Sequence, residues 1–234
     1  MERNQLKKDV DMGQSNFARK KFTNFYIYES INNEDEKSGF YDIPIIKGVK
    51  LTKNDFENVD FLPFSSDRQG NFATKNNAVH FFIDDYRFSN IWRNPARYIK
   101  KFQEYKFVLT PDFSQYLDIS RAERIFNAYK RQLIGFFWKK NNVNIIPTVC
   151  WDDESSYIYS IDCIENGTAV ALSTVGIKTD KEIELFINGF NYLKNIIEPC
   201  FYVIYGGNRD FLPKIEHDKL HIIEPFYKNI KKGS

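Results

Sequence analysis

From residue 78 onward the chain repeats one pattern: a short run that is apolar on nearly every side, a polar or glycine-bearing end, then a stretch with helical spacing. The apolar runs are 79–83, 106–110, 144–149, 168–172 and 201–205. Such runs are too short for buried helices and lack the strict alternation of strands with one wet face. Strands apolar on both faces that alternate with helices indicate a mainly parallel sheet covered by helices, a three-layer α/β domain.

The intervening segments carry their own helix signals. A helical stretch over 88–105 is expected to break at Asn94-Pro95, because proline lacks the amide proton and restricts the residue before it. Ser120 with Glu123, and Thr179 with Glu182, have the spacing of capping boxes. Each precedes an apolar stripe: Ile125, Phe126, Tyr129 and Leu133 in the first case, Ile183, Phe186, Phe190 and Leu193 in the second. Pro199 stops the second helix. Before residue 78 the signals are weaker. Residues 1–21 read as a flexible polar arm and 22–234 as one domain, with a strand over 22–28, a loop over 32–39 and an edge piece at Ile43–Ile46 interrupted by Pro44. Residues 157–161 read as a further edge strand, and His221–Ile223 closes the fold.

Composition narrows the chemistry. Three cysteines and three histidines in 234 residues leave little material for a zinc site, a disulfide framework or a Ser-His-Asp triad, so carboxylates are the expected catalytic groups. The longest strictly apolar run, Cys200–Tyr205, falls far short of the roughly 20 residues of a membrane span, and a cytoplasmic protein is expected. The net charge of +2 conceals an uneven distribution: residues 86–144 hold twelve Lys/Arg against four Asp/Glu, and the remainder holds 21 against 27. A basic middle of this kind suits a polyanion such as DNA, with Arg93, Arg97, Lys100, Arg124, Lys130 and Arg131 as candidate phosphate contacts; it equally describes the solvated faces of two helices.

Ligands of parallel α/β sheets bind beyond the carboxyl ends of the strands. Those ends read Asp84-Asp85-Tyr86-Arg87, Pro111-Asp112-Phe113-Ser114, Trp151-Asp152-Asp153, Ser173-Thr174-Val175-Gly176 and Tyr205-Gly206-Gly207. Asp112 follows a proline that fixes its direction, and it is the first candidate for a catalytic carboxylate; a turn-forming role is the alternative. Asp85 is the second candidate, with helix capping as its alternative. Asp152-Asp153-Glu154 reads as a solvated acidic loop. Tyr86, Phe113, Ser114, Trp151 and Tyr205 are candidate ligand contacts, the aromatics by stacking on a flat ring. Ser173, Thr174 and Gly176, just before a capped helix, together with Arg87 are candidates for holding a phosphate.

The segments Phe81-Phe82-Ile83-Asp84-Asp85-Tyr86-Arg87-Phe88 with Trp92, Leu109-Thr110-Pro111-Asp112-Phe113-Ser114-Gln115-Tyr116, Ile146-Pro147-Thr148-Val149-Cys150-Trp151, Ser173-Thr174-Val175-Gly176 and Tyr205-Gly206 together resemble domain-of-unknown-function family 4417, found largely in phages and bacterial mobile elements. The likeness covers residues 40 to 208, with Pro-Asp-Phe-Ser its most specific part. It implies a setting of phage–host conflict or element maintenance, where DNA is a common target.

The resulting expectation is a hydrolase acting on DNA that excises a flipped nucleobase, with Asp112 and Asp85 facing the bond that breaks and no cofactor. A nuclease or phosphoesterase holding Mg²⁺ through Asp85, Asp112 and Asp153 is the alternative within enzymes. A non-catalytic DNA- or protein-binding module is the alternative outside them.

Overall fold

A computed structural model describes residues 37–38, 40–67 and 73–225. The proposed arm and the strand expected over 22–28 lie outside the described residues. A short antiparallel pair, β1 (Lys37–Ser38) with β2 (Ile43–Pro44), precedes the main sheet, and Pro44 takes its edge position as expected.

The main strands are β3 (Asp60–Pro63), β4 (Asn77–His80), β5 (Phe107–Leu109), β6 (Ile145–Ile146), β7 (Val170–Ser173), β8 (Tyr202–Tyr205) and β9 (Leu220–Ile223). All are parallel and lie side by side in chain order, β3-β4-β5-β6 in one ladder and β7-β8-β9 in the next. A parallel bridge between Thr148 and Ala171 joins the two ladders, with Val149 N–H donating to the Ala171 carbonyl at 2.8 Å. The α/β class with parallel strands and alternating helices is as expected, and β3 is a strand that the weak hydropathy of 60–63 did not announce.

Helices α1 (Phe64–Asp67), α2 (Ser89–Arg93), α3 (Ile99–Phe102), α4 (Arg121–Lys140), α5 (Tyr157–Ser160) and α6 (Asp180–Ile196) fill the connections. Asn94 ends α2, and its side chain caps a 3-10 turn at Pro95–Tyr98, so the expected break falls there. Thr179 and Glu182 form the full capping box of α6. At α4 only half of the box is made, Ser120 Oγ accepting from Glu123 N–H. The edge strand expected over 157–161 is instead helical. Asp153 Oδ1 accepts from the Ser155 N–H and hydroxyl, which starts a 3-10 turn at Glu154–Ser156 that runs directly into α5.

The strand order has a consequence for layering. When a parallel sheet never doubles back, right-handed crossovers put every helix on the same face, and the other face must be buried against itself. Residues of one parity do pack on helices: Val79, Phe81, Val108 and Ile145 meet Leu133, Ile134, Phe137 and Trp138 of α4. Val170, Leu172, Tyr202 and Ile204 likewise meet Phe186, Phe190 and Leu193 of α6. The opposite parity, Ala78, Phe107, Leu109, Ile146, Ala171, Phe201, Val203 and Ile223, forms one shared cluster drawn from both ladders. The rings of Phe82 and Tyr205 stack at 4.9 Å although β4 and β8 stand four strands apart. In a flat sheet that separation would be roughly 19 Å. The sheet is therefore curled on itself like an α/β barrel, with helices outside and this cluster inside, in place of helices over both faces.

Among the described residues no backbone ladder joins β9 to β3. Phe56 closes the gap, its ring 4.4 Å from Phe201, 5.4 Å from Phe107, 5.1 Å from His221 and 6.2 Å from Phe61. Phe56→Ala should therefore cost about 3–5 kcal/mol of stability, the range for emptying a buried aromatic position. Urea unfolding measures it, and a loss below about 1 kcal/mol would show that the curled sheet does not depend on this ring.

Candidate active site

The carboxyl ends of β4 to β8 open into a cleft of about 880 Å³. Its walls come from residues 82–85 after β4, 112 and 114–118 after β5, 149–152 after β6, 173 and 175–177 after β7, Tyr205 of β8, and Glu182, Leu185 and Phe186 of α6. Asp85, Asp112, Ser114, Trp151, Ser173, Gly176 and Tyr205 are thus brought together from five separate stretches of chain, as the strand-end reasoning required.

Asp85 opens a 3-10 turn after β4, and its carboxylate reaches across to the next loop. Ser114 N–H donates to Oδ2 at 3.1 Å and Ser114 Oγ to Oδ1 at 3.0 Å, so the segments after β4 and β5 are tied through one side chain. Asp84 turns outward to an exposed ion pair with Arg87 at 3.2 Å. Asp112 leaves the buried Pro111 and is half-buried itself, its Oδ1 enclosed and without a hydrogen-bond partner among the described residues. Burial pushes its carboxyl up to about 7, against the pull of the Arg131 guanidinium and with the help of the Asp85 charge. Such a group exchanges a proton near neutrality, the property asked of a general acid or base.

The other titratable groups here are poorly placed for that work. Cys150 lines the cleft, but burial and the nearby Asp112 charge push its thiol up to about 12, which keeps it from acting as a thiolate. His80 lies inside the curled sheet, where burial lowers its imidazole to about 3 and Nδ1 accepts from Phe82 N–H.

Two of the candidate phosphate contacts are overturned by burial. Arg131 is wholly enclosed, with Nη2 donating to the Cys150 carbonyl at 3.4 Å, and it acts on Asp112 from beneath. Arg124 is also buried and pairs through Nη1 with Asp152 Oδ2, which corrects the reading of Asp152 as solvated. The cause is that α4 is buried on most of its circumference, from Arg124 to Trp138, so a basic residue on it is not a solvated one. Lys130 is half-buried, its Nζ 4.1 Å from the Phe113 ring centroid and 5.0 Å from that of Phe126. Arg93, Arg97 and Lys100 are exposed, outside the cleft lining.

Some proposed ligand contacts are likewise redirected. Phe113 is core, edge-on to Phe88 at 5.2 Å, and Thr174 is buried with its hydroxyl on the Tyr205 carbonyl at 3.5 Å. Tyr86 and Arg87 stand exposed beside one another, outside the lining. Trp151 makes the aromatic wall: its indole N–H donates to the Leu185 carbonyl at 3.2 Å and its ring lies 5.3 Å from Phe186. Gly189 makes room for it, since a Cβ there would meet the indole Nε1 at 2.1 Å. Gln115, which sequence reasoning passed over, is buried in the lining with Nε2 donating to the Arg124 carbonyl at 2.8 Å and Oε1 unpartnered.

Among the described residues no three His, Cys, Asp or Glu side chains gather to hold a metal ion, and Asp153 is engaged as a cap outside the lining. No helix among them is long and apolar enough to cross a membrane. The family model for a domain of unknown function, DUF4417, matches residues 35–226. The chain belongs to this family. It is 33% identical over 176 residues to the Gene 1 protein of Mycobacterium phage L5, covering 74% of this chain and 75% of that one. It is 35% identical over 138 residues to the Gene 1 protein of Mycobacterium phage D29, covering 58% of this chain and 51% of that relative. No solved structure matches significantly. The DUF4417 match spans every strand of the curled sheet and the whole cleft.

Asp112 also couples the cleft to stability. In the folded protein it keeps its proton up to about pH 7, against an ordinary value of 3.8, so the folded state binds more protons between these limits. Stability contributed at this position is therefore present at low pH and lost as pH rises through 7. Asp112→Asn mimics the protonated form and escapes that loss. Its Tm advantage over the parent should be near zero at about pH 4 and grow to a few degrees at about pH 8. Thermal unfolding at both pH values checks this, and an equal shift at both would remove the coupling.

Proposed function

We propose that this DUF4417 chain is a hydrolase that breaks an N-glycosidic bond to a nucleobase. The observation that carries the reading is the pair of carboxylates, Asp112 titrating near 7 and Asp85 held by Ser114, on one aromatic-walled cleft. Breaking that bond sends its electron pair to the base nitrogen and builds positive charge on the sugar. Asp85 supplies fixed negative charge to stabilise that cation, and ionised Asp112 takes a proton from the water whose oxygen adds to the anomeric carbon. Trp151 offers a face on which a base stacks, and Tyr205, its ring packed on Phe82, lines the cleft beside it. A cleft of this volume has the size of small-molecule sites in general.

DNA is the proposed source of the base, extruded into the cleft while its phosphates remain outside. Support for this lies in the exposed Arg93, Arg97 and Lys100 and in the phage relatives. Association should weaken steeply as salt is raised, and replacing these three residues together by alanine should flatten the dependence, read by fluorescence anisotropy with a labelled duplex. Salt-independent association would remove DNA as the source.

The chemistry is tested on the product. Base release should leave an abasic site with an intact backbone that breaks only after alkali, formed in the presence of chelator. Asp112→Asn should keep the fold and lower turnover by about 10²-fold or more, and activity should rise as pH rises through 7, where Asp112 ionises. Direct strand breaks abolished by chelator would instead establish the metal-dependent nuclease. Full activity in Asp112→Asn would remove this residue from the mechanism.

A further inference from the structure

The polar inventory of the cleft is lopsided. Among the described residues Asp112 Oδ1 and the Oε1 of Gln115, a lining residue only 6% exposed, are enclosed without a hydrogen-bond partner, while the Gln115 amide nitrogen donates to the Arg124 carbonyl. Asp85 accepts from Ser114 on both oxygens and retains further lone pairs, and Asp118 stands exposed on the lining. Against these acceptors no lysine or arginine among the described residues lines the cleft. The cations near it are otherwise engaged: Arg124 is neutralised by Asp152, Arg131 is sealed beneath Asp112, and Lys130 sits over the Phe113 ring with its charge drawn toward Asp85. Glu182 is occupied in the capping box of α6.

We propose that the ring received by this cleft is a cationic nucleobase, one protonated or alkylated on a ring nitrogen, recognised by the acceptors of Asp85, Asp112 and Gln115 and by the face of Trp151. The inference rests on the N-glycosidic reading for the identity of the ring, and on the acceptor excess for its charge. A neutral base presenting carbonyl or imine acceptors leaves buried acceptors unpaired, at a cost of about 1–3 kcal/mol for each group. A cationic ring brings a donor or at least a compensating charge to each, and aromatic faces attract it as they attract other cations. Its charge also ionises Asp112 on arrival, since an opposite charge at contact distance favours the carboxylate.

The same charge assists the bond that breaks. In a base alkylated on the ring, the electron pair of the glycosidic bond returns to a positively charged ring and leaves it neutral. No acid is then needed at the leaving group, and the water oxygen bonds to the anomeric carbon while its proton passes to Asp112. Cationic nucleoside and water become neutral base, free sugar hydroxyl and one proton, so atoms and charge balance without a further reactant.

Binding is the test, because it does not require turnover. The full chain is titrated at neutral pH with 1-methyladenosine, adenosine and N6-methyladenosine, following tryptophan fluorescence or heat. The methylated pair are isomers, and only the first carries the charge. We expect 1-methyladenosine to bind at least about tenfold tighter than either neutral nucleoside, a difference of about 1.4 kcal/mol. The preference should fall to near unity in Asp112→Asn and narrow in Gln115→Leu, with circular dichroism confirming that each variant folds. An oligonucleotide carrying one 1-methyladenine, compared with its unmodified twin, tells the source. Preference for the lesion strand supports a DNA substrate, and preference among free nucleosides alone supports the same ring chemistry in a monomer. Equal affinity for charged and neutral nucleosides, tighter binding of the neutral ones, or no nucleoside binding at all overturns the proposal. A retained cationic preference without any base release would overturn the hydrolytic reading and leave this one standing.

Discussion

Every feature of the cleft depends on the inner face of the sheet being packed against itself. With strands in chain order and helices on one side only, Ala78, Phe107, Ile146, Ala171, Val203 and Ile223 have no helix to meet. They meet one another, and this curls the strands until their carboxyl ends converge. Small side chains at Ala78 and Ala171 let the interior close, and the aromatics Phe56, Phe82, Phe107, Phe201 and Tyr205 fill what remains. Asp85 and Asp112 come from adjacent strands in a parallel ladder, and curling brings Ser173 and Tyr205 round to complete the wall.

Much of this was legible in the sequence because it follows from local chemistry. Runs of five or six mostly apolar residues with polar ends locate the strands and point to their functional ends, and Ser120, Thr179 and Asn94-Pro95 mark helix boundaries that the structure keeps. The missed parts depend on contacts distant in the chain. Nothing in residues 121–140 announces that Arg124 and Arg131 point inward, because Asp152 and Cys150, their partners, arrive on another loop. Tyr157-Ile158-Tyr159 is rich in residues that favour strands, yet the cap set by Asp153 wins. β3 and the closure by Phe56 are tertiary facts, invisible in a segment whose own pattern is weak. Gln115 lies in a segment that carries the family likeness, yet nothing in that segment announces that its Oε1 is left without a partner among the described residues.

Charge is sorted in space differently from the way it is sorted along the chain. The basic middle of the sequence divides into an exposed group, Arg93, Arg97 and Lys100, and an enclosed pair on α4 that works against carboxylates. The cleft itself is left acidic. Arg131 does not bring Asp112 back to an ordinary carboxylate, because removing the acid from water outweighs the attraction of the guanidinium. The net result is a carboxyl whose proton is loosely held at neutral pH, sustained by the rigid Pro111 turn and the enclosure of Oδ1.

The seam between β9 and β3 gives the curled sheet a mechanical character of its own. Elsewhere backbone hydrogen bonds join each strand to the next, in ladders and, between β6 and β7, at the Thr148–Ala171 bridge, and the spacing there cannot change without breaking them. At the seam it is fixed by stacked rings, Phe56 and Phe61 on His221, which slide at little cost in energy. A hoop with one soft joint changes girth there first. Ligand entering at the strand ends therefore has a place, between two strands that carry neither Asp85 nor Asp112, where the strain of accommodating it is absorbed while the carboxylates keep their spacing.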